Sequence, residues 1–288
     1  MQHLMETRMS LQFCFLASGS SGNCTVVRTP GGVMLIDAGI GPRTTAQRVR
    51  GTGVCISDIS AICLTHLDRD HFNLNWLGFL IRRGIPIYCH RSRIGDLAQI
   101  AGDPAFARLL QPFGEAAFGP LPGLRCHGID LAHDAEGSHG FVLEGFGCRA
   151  GFATDLGHVP GHLLERFEHL NLLALESNYD PEMQRVSDRP WFLKQRIMGG
   201  RGHLSNQQAF DAVQAILDRS QRHKRRLPDR IVLLHRSRQC NRPHLLRNLF
   251  ERDARIAPRL ILAEQDQRTD WIGTAIAEIG EQLLLGWG

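Results

Sequence analysis

The sequence predicts an α/β (α+β) fold in which two β-sheets pack face to face with helices outside. Three observations carry that expectation. The chain has 288 residues, 43% hydrophobic and 22% charged, an ordinary globular composition that excludes collagen-like and disordered classes. Short apolar runs of strand length alternate in mixed order with amphipathic helical segments, as two sheets with covering helices require. No Pro/Gly/Ser-rich linker and no repeat divides the chain, so residues 1–288 read as one domain with a core at about 9–265. A chain this long buries roughly 75% of its unfolded surface, enough to need no disulfide or structural metal.

The elements follow in order. Met1–Arg8 carries no pattern, and Met9 is the expected start of translation. Residues 11–17, 24–28 and 33–37 read as strands, with the tight loop Ser-Gly-Ser-Ser-Gly-Asn at 18–23 after the first. Residues 42–50 read as a helix, with Pro42 at its start and Gly51 past its end. A buried strand at 61–65, a helix at 74–83 and a strand at 85–89 come next, then strands at 124–131, 140–144 and 148–154. A helix at 161–168 precedes a strand at 172–176. The clearest helix spans 205–218: Ser205 and Gln208 form a capping box, and Phe210, Val213, Ile216 and Leu217 make the apolar face. A strand at 231–234 and a helix at 244–251 follow, and the apolar tail 271–287 is expected to cover a sandwich edge.

The longest apolar runs are far too short to span a bilayer, and the 11–17 run reads as a strand, not a signal peptide. The eight cysteines form no Cys-x-x-Cys pair and sit mostly inside apolar runs. They read as buried small hydrophobes in a reducing, cytoplasmic setting. The net charge of +4 is unevenly spread. Arg219 to Arg259 carries 13 Lys/Arg against three acids, a basic segment that suits a phosphodiester or nucleic-acid partner.

One segment carries chemistry: Thr65-His66-Leu67-Asp68-Arg69-Asp70-His71, directly after a buried strand and before a helix. Four potential ligands lie within six residues. A strand ending in such a loop lets His66 and Asp68 face one ion and Asp70 and His71 a neighbouring one, and carboxylate with imidazole suits Zn, Fe or Mn. Two metals need further ligands from other strand ends. His133, Asp155 and His235 each sit just past an apolar run. Alone, each such histidine is more often a hydrogen-bonded polar residue than a ligand; the loop at 66–71 reverses those odds.

At this point the chain resembles the metallo-β-lactamase fold superfamily, most of all its YycJ/WalJ-like branch, which is related to tRNase Z and phosphodiesterase members. The residues that carry the resemblance run from Phe15 to Thr25, Leu35 to Gly39, Thr65 to His71, His133 to Ala135, Ala153 to Gly157, Leu175 to Asn178, Gly202 to Asn206 and Leu234 to Ser237. The resemblance implies a four-layer αββα sandwich with the metal site at one sheet edge. It implies two divalent ions, Zn foremost. One would be held by His66, Asp68 and His133, the other by Asp70, His71 and His235, with Asp155 bridging and Asp70 also counted as catalytic. His203 falls where phosphodiesterase members keep a catalytic histidine that is not a ligand, and Glu176 where they keep the acid that orients it. Asp37 buttresses the metal loop. Ser20, Asn23, Asn178 and Asn206 are the expected substrate contacts. The chain departs from the family at Asp68, where a second histidine is usual and where a harder carboxylate favours Mn or Fe. It departs again at Tyr179, where the branch commonly has histidine.

The expected chemistry is metal-assisted hydrolysis of a phosphodiester, with His203 protonating the leaving oxygen and arginines from Arg219 to Arg242 gripping phosphates. Two other readings stand beside it: a hydrolase of another ester class (lactone, thioester or β-lactam), and a metal-binding regulatory module with weak turnover, for which Asp68 argues.

Overall fold

The computed structural model describes residues 11–273; the expected start at Met9 and the tail from 274 onward lie outside them. Two seven-stranded sheets form. The first holds β1 (Gln12–Ala17), β2 (Cys24–Thr29), β3 (Gly32–Ile36), β4 (Ile59–Cys63), β5 (Ile87–His90) and β6 (Leu110–Phe113), in that order, with β14 (Ile272–Gly273) at the outer edge of β1. The second holds β7 (Phe118–Leu121), β8 (Leu124–Leu131), β9 (Ser138–Gly145), β10 (Cys148–Ala153), β11 (Leu172–Glu176), β12 (Arg230–Leu234) and β13 (Leu260–Leu262). Thus the described start of the expected tail does cover a sheet edge.

The central strands, such as β3 and β11, read as nearly unbroken apolar runs because both their faces are buried. In β3, Met34 and Ile36 point into the core between the sheets, whereas Val33 and Leu35 point outward. In β11, Leu172 and Ala174 face inward, and Leu173 and Leu175 outward. The outer face of the first sheet packs on α1 (Pro42–Arg48), α2 (Leu77–Arg83), α3 (Ile94–Ala101) and α4 (Pro104–Ala107), through Leu80, Leu97 and Phe106. The outer face of the second packs on α5 (Gly161–Arg166), α8 (Asn206–Arg222) and α9 (Pro243–Phe250), through Leu163, Phe210, Val213 and Leu246. The result is the αββα sandwich. Two short helices, α6 (Pro181–Val186) and α7 (Trp191–Met198), lie outside this scheme.

Strands β3 to β6 run parallel, as do β10 to β13, and β8 shares the direction of β10 through antiparallel β9. Their carboxyl ends therefore open on one edge, where α/β sheets commonly bind ligands. All eight cysteines are free thiols; seven are buried and Cys55 is exposed. No helix among the described residues is long and apolar enough to cross a membrane.

The capping box of α8 forms as expected. Gln208 N donates to Ser205 Oγ at 3.2 Å, and Ser205 N donates to Gln208 Oε1 at 2.9 Å. Ser205→Ala is expected to destabilise the protein by about 1 kcal/mol, which a thermal melt will register as a fall in Tm of roughly 2 °C.

Candidate active site

Each candidate ligand sits where a strand ends. Asp37 follows β3, the loop 65–71 follows β4, His133 follows β8, Asp155 follows β10, Glu176 is the last residue of β11, and His235 follows β12. Three of these turn the chain through the left-handed region without glycine: Asp37 at φ 60°, Asp155 at φ 53° and His235 at φ 53°. Such conformations cost about 1–3 kcal/mol each and persist where a site over-determines them. Gly39 is needed for a different reason. A Cβ there would lie 1.7 Å from the Asp70 carbonyl oxygen, so only glycine lets the metal loop close down on the strand edge.

The loop is braced from beneath. Thr65 N and Oγ1 donate to Asp37 Oδ1 at 2.8 and 3.0 Å, and His71 Nδ1 donates to Asp37 Oδ2 at 2.8 Å. His133 Nδ1 donates to the Gly202 carbonyl at 2.9 Å, which leaves Nε2 for the site. Ligand atoms of His66, Asp68 and His133 then lie within 4.8 Å of one another, as do those of Asp70, His71 and His235. Asp155 stands between them: its ligand atom lies within 4.8 Å of those of His66 and His71, with Oδ2 3.0 Å from His71 Nε2 and Oδ1 3.5 Å from His235 Nδ1. The structure thus brings together all seven sequence-predicted ligands. Another grouping, His90, Asp130 and His139, lies apart from them.

The electrostatics favour cations. Burial pushes the His66 imidazole well below its ordinary pKa, so it is neutral and able to bind a metal. Burial acts the same way on His71 and His235, but Asp37 and Asp155 overcome it at His71, and Asp155, Asp70 and Glu176 at His235. His71 ends well above the ordinary value and His235 at about 10. Asp155 is held well below the carboxylate range: burial opposes this, and the neighbouring His235 and His71 outweigh it. His71 and His235 thus hold protons against the charge of the ionised Asp155, a balance that a bound cation would supply in their place. His66 Nε2 and His235 Nε2 are buried without a hydrogen-bond partner, which costs about 1–3 kcal/mol each. Orphaned imidazole nitrogens beside anionic oxygens are a donor set that fits divalent cations.

His203 Nδ1 lies 2.7 Å from Glu176 Oε1, while Glu176 Oε2 accepts from Leu156 N at 3.0 Å. Glu176 is completely buried, yet His203 and His235 hold it ionised against the opposing effect of burial. The ring of His203 faces a cleft of about 410 Å³ that Asp68, Asp70, His133, Asp155 and His235 also line.

The expected substrate contacts divide. Ser20 and Asn178 line this cleft. Asn178 also donates to the His235 carbonyl at 2.7 Å. Asn23 does not reach the cleft; its side chain accepts from Gly19 N at 2.8 Å and lies 2.9 Å from His71 Nε2, pinning the 18–23 loop to the metal loop. Asn206 is buried against Ser177 and Asn241 at 2.9 and 2.8 Å, locking the start of α8. Both amides are consumed in the framework, which leaves them nothing to offer a substrate. Tyr179 is likewise buried, packed with Ile197 and Cys240 beneath α7.

The basic segment also falls elsewhere. Arg219 pairs with Glu168, Arg226 with Asp229, Arg247 with Glu251 and Arg255 with Asp218 and Asp253. None of the arginines from 219 to 259 lines the cleft; the guanidiniums that do are Arg189 and Arg196. Arg196 forks onto Asp134, with Nε donating to Oδ1 at 2.9 Å. Arg189 is held only by neutral oxygens, of Gln239, Gln184 and Ser237, at 2.9, 3.1 and 3.3 Å. Sequence reading passed over this wall. Its signal was the run Arg189-Pro-Trp-Phe-Leu-Lys-Gln-Arg196, in which basic and aromatic residues interleave.

A family profile described as "Beta-lactamase superfamily domain" matches residues 33–235. The chain is 28% identical over 242 residues to the exodeoxyribonuclease YycJ of Bacillus anthracis, covering 83% of this chain and 87% of that one. It is 26% identical over 212 residues to the exodeoxyribonuclease WalJ of Streptococcus pneumoniae, covering 72% and 77%. The short form of human tRNase Z superposes with a TM-score of 0.59, with 18% identity over 90% of this chain and 98% of that one. That last likeness concerns the fold.

Proposed function

Because the chain belongs to the beta-lactamase superfamily, we propose that it is a metal-dependent phosphodiesterase acting on nucleic acid, in the manner of an exodeoxyribonuclease. The observation that carries this reading is the shared cleft. Two ligand triads meet at Asp155, and a histidine held by a buried glutamate faces the same space.

In this reading two divalent ions would be held, one by His66, Asp68 and His133, the other by Asp70, His71 and His235, with Asp155 within reach of both groups. Bound there, such ions supply Lewis acidity: they make water acidic enough to attack near neutral pH and offset charge developing on phosphoryl oxygens. The protein's own groups do the rest. Asp37 and Thr65 fix the ring of His71, and Gly202 fixes that of His133. Glu176 holds His203 at Nδ1 and so aims Nε2 at the cleft, where the ring in its doubly protonated form would pass the Nε2 proton to the leaving oxygen. Arg189, positioned by neutral partners, keeps its charge for a substrate phosphate. The free thiols suit a reducing, cytoplasmic setting.

The test is metal analysis of the purified protein combined with hydrolysis of bis-p-nitrophenyl phosphate and of end-labelled DNA. Metal uptake with diester cleavage is the expected result. Metal uptake with hydrolysis only of lactones or thioesters, or of nothing in the panel, overturns it. Asp68 permits a sharper measurement. Asp68→His replaces a hard carboxylate with a borderline imidazole and is expected to raise the Zn-to-Mn occupancy ratio by roughly tenfold, as read by mass spectrometry after competition between the two ions.

A further inference from the structure

We infer that the exposed aromatic pair Trp191–Phe192 on α7 is a stacking platform for the unpaired bases of a single-stranded nucleic acid whose backbone phosphate is held by Arg189. The inference rests on the nucleic-acid reading above and names the form of substrate that the cleft receives.

Trp191 is 73% exposed and Phe192 70%. Two adjacent large aromatics left in water mark a surface waiting for a partner. Their helix is firmly seated: Leu193 and Ile197, one turn apart, pack on Tyr179 and Cys240, and Leu193, Arg196 and Ile197 form part of the cleft wall. Helical geometry places Phe192 and Arg196 on one face, four residues apart, with Trp191 a further step around the cylinder. A strand leaving the cleft over Arg196 therefore meets Phe192 and then Trp191.

Charge points to the same occupant. Arg189 lies just before the pair, and no carboxylate is among its three partners. A fixed cation at the cleft wall followed by flat apolar rings outside suits a chain of phosphates carrying bases. A folded protein partner offers no reason for the cation to line the catalytic cleft itself. Aromatic faces accept any base, because every base has a π-face, whereas a paired duplex keeps its faces stacked internally.

The test uses the full-length protein and two oligonucleotides of equal length, one of deoxythymidine and one with the same backbone but abasic. Wild type is expected to bind the thymidine strand at least roughly tenfold more tightly, with quenching of Trp fluorescence. In the W191A/F192A double variant that preference is expected to vanish, while the salt-dependent binding common to both strands remains. Trp191→Phe, which keeps a ring, is expected to retain most of the preference. Equal affinity of wild type for the two strands overturns the inference. So does a base preference that survives in the double variant, or a wild-type dimer that becomes monomeric in it, which assigns the patch to a second copy of the chain. Digestion of the thymidine strand by the metal-loaded wild type is followed in parallel. Base preference without digestion overturns the nuclease reading and leaves the platform standing; digestion without base preference does the reverse.

Discussion

Replacing Asp155 is expected to lower phosphodiester hydrolysis by roughly a thousandfold or more and to reduce bound metal from about two ions per chain to one or fewer. The reason is its place between the triads. Its ligand atom lies within 4.8 Å of those of His66, from the first triad, and His71, from the second; its Oδ2 is 3.0 Å from His71 Nε2 and its Oδ1 3.5 Å from His235 Nδ1. Two variants separate charge from backbone. Alanine removes the carboxylate but also places a Cβ residue with no local hydrogen bond at φ 53°, a strain of about 1 kcal/mol. Asparagine tolerates that conformation and removes only the negative charge. Asp155→Asn is therefore expected to melt near wild type yet be almost as inactive as Asp155→Ala. An asparagine variant that keeps both ions and works within about tenfold of wild type removes Asp155 from the bridging role.

How far the sequence foretold this site depends on which physical signal each residue leaves. The strands were legible by two patterns: β11 is buried on both faces and reads as a continuous apolar run at 172–176, whereas β8 alternates buried and exposed residues over 124–131, and both match the expected bounds to the residue. The candidate ligands were legible because a residue just past a strand must stand at its carboxyl edge, and His133, Asp155 and His235 all do. What the pattern could not show is where a side chain spends its hydrogen bonds. Asn23 and Asn206 carry amides suited to a ligand, yet both are saturated by the framework. Only the folded arrangement of Gly19, His71, Ser177 and Asn241 reveals that. The elements missed between β5 and β8 have weak local signals. Strand β6 contains Pro112, strand β7 contains Gly119 and Pro120, and helix α3 has Gly95 in its first turn. Helix α7 escaped because its apolar residues face two ways, inward at Leu193 and Ile197 and outward at Trp191 and Phe192, which erases the helical period. The basic segment misled for a related reason. A charge count over one segment misses partners outside it: in the fold Arg219, Arg236, Arg238 and Arg255 pair with Glu168, Glu264, Asp266 and Asp218.

His203→Ala is expected to slow cleavage of DNA by about 10²–10⁴-fold while leaving the metal content unchanged, and the size of the loss should depend on the leaving group. The Nδ1 atom of His203 is engaged by Glu176 at 2.7 Å, so the proton it can deliver is on Nε2, at the cleft. A sugar alkoxide departs poorly without that proton. A p-nitrophenolate is stable enough to depart alone. The variant is therefore expected to lose far less on bis-p-nitrophenyl phosphate than on DNA, and Glu176→Gln, which weakens the contact that aims the ring, should show the same dependence on leaving group. A different role is written into the same geometry: ligand atoms of His203 lie within 4.8 Å of those of Asp155, Glu176 and His235, so His203 is also within reach of an ion. The two roles part on measurement. Should His203→Ala lose an ion, or lose activity equally on both substrates, the histidine holds metal or positions substrate and the proton must come from elsewhere. Retained metal with a loss confined to the poor leaving group assigns the acid to His203 and leaves Glu176 as the residue that aims it.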